Sequence, residues 1–275
     1  MIAAAKGRAV GKNKTAHTQA PSNVCRVNAC RIMRALALAS LSLLQAPTSF
    51  GQAANKEVIA VAVLLQVDDA TLEKAKAANE RLRKAYPQGY SLDSAHTPHI
   101  TLVQRFVRAS DLEAVSAAVA RVLETSRLSN LDIRISKYMT APWGQVSIAA
   151  FLVDSTPALR SFEQKIVDAV QPFAIKGGTA DAFALAAGES TIDTQTISWV
   201  ENFVPASSGR NYVPHITLGV AAKESVEALK AEPFDAFTFK PREIAIYQLG
   251  NLGTAQKKLW AENPPQRPAT TIPTH

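Results

Sequence analysis

One pentapeptide occurs twice in this chain, as Pro98-His99-Ile100-Thr101-Leu102 and as Pro214-His215-Ile216-Thr217-Leu218. By composition alone, such a repeat is an accident on the order of one in a hundred. In a β-strand, residues i and i+2 share a face. Each His therefore lies beside its Thr, while Ile100, Leu102, Ile216 and Leu218 point the other way, into a core. Pro98 and Pro214 suit strand starts, where no ladder donor is needed. The fold must then hold two strands that are each half anchor and half polar display. A single His in a strand is usually a satisfied structural residue. The same polar pair selected twice points to a site.

The rest of the body reads as alternating strands and helices. Glu57–Val67 is apolar and β-branched, a buried strand. Asp69–Ala85 has helical apolar spacing and stops before Pro87. His99–Val107 is a strand, followed by a helix that Ser110 caps, running to about Glu124. Leu131–Tyr138 and Gln145–Val153 read as strands, and Thr156-Pro157 opens a helix to Val170. Ile175–Ser190 is ambiguous, and Thr191–Phe203 reads as a short helix. Strand Val213–Val220 and helix Lys223–Lys230 follow. Phe237–Phe239, Glu243–Leu249 and Lys257–Trp260 finish the strands. In both halves a His-bearing strand is followed closely by a helix, which suggests a duplicated lobe with a cleft between the copies.

Charge separates the front of the chain from the rest. Residues 1–53 hold seven Lys/Arg and no Asp or Glu, so the remaining 23 Lys/Arg are matched by all 23 Asp/Glu. A basic body that coats nucleic acid is not supported, and no stable nucleic-acid complex is expected. The basic stretch to Arg34, the apolar run of ten residues Ala35–Leu44, broken only by Ser40 and Ser42, and the small residues before Ala54 form a secretory signal pattern. An amphipathic tail is the alternative. The apolar run is too short to span a bilayer, and no later segment is long and apolar enough to do so. Translation from Met33 instead of Met1 would give a more compact signal. The expected organisation is a leader over 1–53, one domain over 54–261 and a Pro-rich loose tail over 262–275, exported to the periplasm or secreted. Cys25 and Cys30 both lie in the leader, so the body has no thiolate for a disulfide, a zinc site or a nucleophile.

Two imidazoles and two hydroxyls in one cleft suit phosphodiester cleavage. Imidazole titrates near neutrality, so one ring can take a proton while the other gives one. Thr hydroxyls can hold the non-bridging oxygens as charge develops. The scheme calls for no metal and no cofactor. Tyr212 and Tyr247 are candidates to stack on a base or donate to phosphate, with burial in the core as the plainer reading. Arg105 would share the face of His99 if the strand stays regular. Lys176-Gly177-Gly178-Thr179 could cradle an anion, though a plain turn is favoured, and zinc ligation by His96 with His99 is disfavoured because carboxylates and thiols are scarce nearby.

The doubled His-x-Thr-x motif resembles the two-histidine phosphoesterase superfamily, which includes bacterial 2′–5′ RNA ligase-like proteins and cyclic nucleotide phosphodiesterases. Tyr212-Val213-Pro214-His215-Ile216-Thr217-Leu218-Gly219 resembles its second motif. Ile246-Tyr247-Gln248-Leu249-Gly250 with Gly253 resembles its C-terminal strand and turn. The resemblance covers about residues 57–261. It implies an α+β fold with pseudo-twofold symmetry, in which two antiparallel sheets line a central cleft and helices lie outside. It implies His99, Thr101, His215 and Thr217 as the catalytic set. The expected function is hydrolysis of 2′,3′-cyclic phosphates or 2′–5′ phosphodiesters by a monomer whose partner is a nucleotide or short RNA substrate. The alternatives are a binding module that uses the same cleft for a phosphorylated ligand and, more weakly, a 2′–5′ RNA ligase.

Overall fold

The computed structural model describes residues 57–126, 128 and 131–263. The leader, both cysteines and the tail from residue 264 lie outside the described residues. Thirteen main elements follow in chain order: β1 (Val58–Gln66), α1 (Asp69–Ala85), β2 (His99–Arg108), α2 (Leu112–Thr125), β3 (Ile133–Trp143), β4 (Val146–Val153), α3 (Pro157–Val170), α4 (Thr194–Ser207), β5 (His215–Ala221), α5 (Lys223–Lys230), β6 (Phe237–Phe239), β7 (Ile244–Leu249) and β8 (Ala255–Glu262). The last strand runs one residue past the domain end expected at 261. Among the described residues, no helix is long and apolar enough to cross a membrane.

Local chemistry sets several boundaries. The Asp68 side chain accepts from the Thr71 amide at 2.9 Å and starts α1. Thr156 does the same for the Leu159 amide at 3.2 Å, with Pro157 supplying a preset φ at the start of α3. Ser110 does not cap α2. Residues Ala109–Asp111 form a 3₁₀ turn, the helix begins at Leu112, and the Ser110 hydroxyl donates to Asp111 instead.

All eight strands join one antiparallel sheet in the order β6-β3-β4-β5-β2-β1-β7-β8. Two separate sheets were expected, and here the structure differs. Its halves, β6-β3-β4-β5 and β2-β1-β7-β8, are joined at a seam where β2 meets β5 through the single pair Ile100–Ile216. Beyond that pair both strands bulge at the same motif position. Along β1 the register passes from Val63–Val103 to Leu64–Thr101, which leaves Leu102 as the extra residue. Along β4 it passes from Ala149–Gly219 to Ala150–Thr217, which leaves Leu218. A bulge increases local twist, so the halves diverge from the seam.

The sheet is buried on both faces over its centre. On one face, Val61, Val63, Ile100, Leu102, Ile216 and Leu218 pack with residues from α1, α2, α3 and α5 in the main core. On the other, Ala60, Ala62, Leu64, Phe106 and Tyr247 pack under Phe183, Ile192 and Val200. Hence β1 is apolar on consecutive residues rather than alternating. The helices cross between halves: α1 follows β1 but packs against β5, and α3 follows β4 but packs against β2.

Candidate active site

The two motifs open onto one cavity of about 350 Å³. His99 and Thr101 face it from β2, and His215 and Thr217 from β5. All four are half-buried, while Ile100, Leu102, Ile216 and Leu218 are fully buried on the opposite face. The structure therefore brings together the four residues of the sequence-derived set, with the face assignment that strand alternation predicts.

The two imidazoles are held alike. His99 Nδ1 lies 2.6 Å from the Thr97 carbonyl, and His215 Nδ1 lies 2.8 Å from the Val213 carbonyl, each two residues upstream. A carbonyl only accepts, so Nδ1 must carry the proton in both rings. Each Nε2 is left for the cavity. Burial pushes His99 down to about 4, opposed by the Thr97 carbonyl and helped by repulsion from the His215 imidazole. Burial also lowers His215, opposed by the Val213 carbonyl. The rings share one field, so a proton on one disfavours a proton on the other.

The lesser sequence candidates fare differently. Tyr212 lines the cavity, but its hydroxyl donates to the Thr101 carbonyl at 3.1 Å. It therefore ties the segment before the second motif to the strand of the first, and burial raises its phenol well above the ordinary value. Arg105 does not line the cavity; it donates to Gln171 Oε1 at 2.6 Å. The bulge at Leu102 shifts the strand by one residue, so Gln104 takes the face that regular alternation assigned to Arg105. Tyr247 is buried in the second core cluster and does not line the cavity, because residues 182–200 cover that part of the sheet. The glycine pair is no anion cradle. The Gly177 amide donates to Glu201 Oε2 at 3.1 Å, so the protein's own carboxylate fills the place.

Other lining residues carried little signal in the sequence. Trp143, Trp199 and Phe203 form an aromatic wall, with Trp143 edge-on to Trp199 at 6.0 Å and Trp199 edge-on to Phe203 at 6.0 Å. Trp199 and Phe203 are four apart on α4, which brings them onto one side. Leu252 has φ of 58° at the cavity rim, a conformation that costs a branched residue energy and clusters at functional sites. His96 also lines the cavity. No Lys or Arg is among the described residues that line it. Among the described residues, no group of three or more His, Cys, Asp or Glu is placed to hold a metal ion.

Asn79 of α1 supports this geometry from behind. Its Nδ2 donates to the Leu218 carbonyl at 2.8 Å and to the Tyr90 carbonyl at 3.0 Å, and its Oδ1 accepts from the Leu92 amide at 3.2 Å. One buried amide thus fixes the bulge of the second motif and the loop that carries Tyr90 and Leu92 into the cavity. Gly219 makes room for it: with φ of 149°, a Cβ there would stand 2.8 Å from Asn79 Nδ2.

A family model described as the 2'-5' RNA ligase superfamily matches residues 68–251. Among solved structures, the chain is similar to E. coli LigT complexed with 3'-AMP, at 14% identity over 76% of this chain and 99% of that one, with a TM-score of 0.39. It is similar to Kluyveromyces marxianus Usb1 with uridine monophosphate, at 10% identity over 74% and 98%, with a TM-score of 0.40. It is also similar to the MHV ns2 PDE domain, at 10% identity over 74% and 99%, with a TM-score of 0.37. No curated protein matches the chain.

Proposed function

Because the chain belongs to the 2'-5' RNA ligase superfamily, we propose that it is a phosphodiesterase that opens 2′,3′-cyclic phosphates or 2′–5′ linkages of nucleotides by two-histidine acid–base catalysis. One observation carries the reading: both motif imidazoles are anchored through Nδ1 and offer Nε2 to a single cavity. His99, which burial pushes down to about 4, is the base. Its Nε2 takes a proton from water as the new oxygen–phosphorus bond forms. His215 is the acid, and its Nε2–H protonates the ribose oxygen as the old bond breaks. A cyclic diester becomes a monoester, and both rings reset by exchange with solvent. The Thr101 and Thr217 hydroxyls hold the non-bridging oxygens.

The cavity supports a small substrate. Its volume is at the lower end of the range for small-molecule sites, about 300–1,000 Å³. Its lining offers an aromatic wall for a base and, among the described residues, no cationic track for a series of phosphates. The basic and then apolar leader of residues 1–53 supports an exported enzyme that meets scavenged nucleotides, and N-terminal sequencing of the chain isolated from cell fractions tests that part.

The direct test incubates the full chain, with EDTA, against 2′,3′-cyclic nucleotides and 2′–5′-linked dinucleotides. Turnover that survives chelation is expected, and no turnover on either class would overturn the reading. The pH profile gives a second check. The base must be neutral, so kcat/KM falls as pH drops through the His99 value of about 4. The acid must be protonated, so kcat/KM falls as pH rises through the His215 value, which burial sets below 6.5. The expected optimum is on the acid side of 6.5, and an optimum at pH 8 or above would contradict these roles.

A further inference from the structure

A third imidazole faces the cavity, and the two-histidine reaction does not use it. His96 precedes the first motif and lines the same wall as Thr97 and His99. Its Nδ1 lies 3.1 Å from Asp93 Oδ1. The same carboxylate oxygen accepts from the Ala95 amide at 2.8 Å and from the His96 amide at 3.0 Å. Burial acts to raise the Asp93 carboxyl, but the Ala95 amide and the His96 imidazole and amide together hold it below the ordinary value. The partner of His96 is therefore an ionised carboxylate, whereas His99 and His215 are each anchored by a neutral carbonyl.

The ring is also fixed in plane. It stacks on Tyr90, with centroids 4.8 Å apart and planes 17° apart. Tyr90 is held in turn by Asn79, which takes its carbonyl at 3.0 Å. The result is a preorganised side chain with three restraints: a carboxylate at one nitrogen, an aromatic face beneath, and a loop pinned to α1. With Asp93 on Nδ1, only Nε2 is left to meet a ligand. When such a ring is protonated, the carboxylate on Nδ1 leaves Nε2 as a charge-assisted N–H donor, which suits an anionic oxygen. No Lys or Arg is among the described residues lining the cavity, so a cationic contact to substrate there would come from an imidazole, and a carboxylate, Asp93, stands against that of His96.

We propose that His96, oriented by Asp93 and Tyr90, is a subsite for a second phosphate group of the substrate, distinct from the diester that reacts between His99 and His215. The inference rests on the phosphodiesterase reading for its substrate and deepens it: the preferred ligand is a nucleotide that carries a terminal phosphate as well as the cyclic or 2′–5′ diester. His96 then sets specificity and takes no part in the proton transfers.

The test compares adenosine 2′,3′-cyclic phosphate with the same compound bearing a 5′-phosphate, using the full chain. The wild type is expected to favour the 5′-phosphorylated substrate in kcat/KM, through KM. His96→Asn is expected to lower that preference about tenfold, and Asp93→Asn to lower it in part. An equal loss on both substrates would mean a structural role only. A larger loss on the 5′-hydroxyl substrate would mean that Nε2 reads a hydroxyl. Either result overturns the proposal. A binding arm separates this question from turnover. In the His99→Ala, His215→Ala background, calorimetric titration with the two ligands needs no catalysis. Tighter binding of the 5′-phosphorylated ligand that disappears with His96→Asn supports the subsite even if neither compound is hydrolysed. Equal binding of the two ligands removes it.

Discussion

Replacing either His99 or His215 by alanine is expected to lower kcat on a 2′,3′-cyclic nucleotide about a thousandfold, within the range for a positioned acid or base. The double variant is expected to be little worse than either single one, because the two rings act on one transition state. The roles separate with a different leaving group. A p-nitrophenyl phosphodiester releases an anion that needs no proton. His215→Ala should then lose only about tenfold, while His99→Ala keeps its full loss, since water must still be deprotonated. An equal loss from both variants on that substrate would overturn the assignment of base to His99. Undiminished turnover in either alanine variant would overturn the two-histidine mechanism. Circular dichroism guards against a trivial cause, because both rings are half-buried and neither belongs to the core.

Asn79→Leu is expected to have the largest effect on stability of any single change near the site. It removes one side chain that satisfies three backbone groups, the Leu218 and Tyr90 carbonyls and the Leu92 amide. Leaving buried groups unpaired costs about 1–3 kcal/mol each, partly relieved by relaxation. A net loss of about 3 kcal/mol follows, or about 6–12 °C in Tm for a domain of this size. Activity should fall as well, because the Leu218 bulge sets where Thr217 and His215 point. Gly219→Ala attacks the same contact from the other side, placing a Cβ against Asn79 Nδ2. Truncating Asn79 to Ala removes that contact, so Asn79→Ala and Gly219→Ala should be non-additive: Gly219→Ala costs less in the Asn79→Ala background than alone. Additive losses in a thermal-melt cycle would show that Asn79 and Gly219 act separately.

The repeated pentapeptide made much of the site legible before any coordinates. It carries its own periodicity, so the faces of His99, Thr101, His215 and Thr217 follow from counting. Helices α1, α3 and α5 were legible for a similar reason, since apolar spacing is local in the chain, as are the Thr156-Pro157 start of α3 and the Pro87 stop after α1. Arg105 was misplaced because counting assumes a regular strand. The bulge falls where Leu102 and Val103 are both apolar, so nothing in the residue types marks the slip. Tyr247 took the plainer of its two readings, burial, and its cover comes partly from residues 182–190, whose composition favours neither helix nor strand. Asn79 escaped notice for a different reason: it acts through partners on other segments, and a buried Asn in an Ala- and Lys-rich helix looks like any surface residue until the strand it serves is packed against it.

The crossing of the helices has a consequence for how such a chain can be divided. Each half contributes one imidazole, and the β-ladder between the halves is a single residue pair. What registers the two rings is the exchange of helices, α1 onto β5 and α3 onto β2. Cut between β3 and β4, neither piece would keep the cover of its own His-bearing strand. A half-length chain with one copy of the motif could reach a two-imidazole cleft only by pairing with a second copy of itself, helix for helix. The fused chain makes that pairing permanent and independent of concentration. It also releases the two copies from having to match. Val103 and Gly219 stand at the same motif position with different residues, and only the second makes room for an Asn.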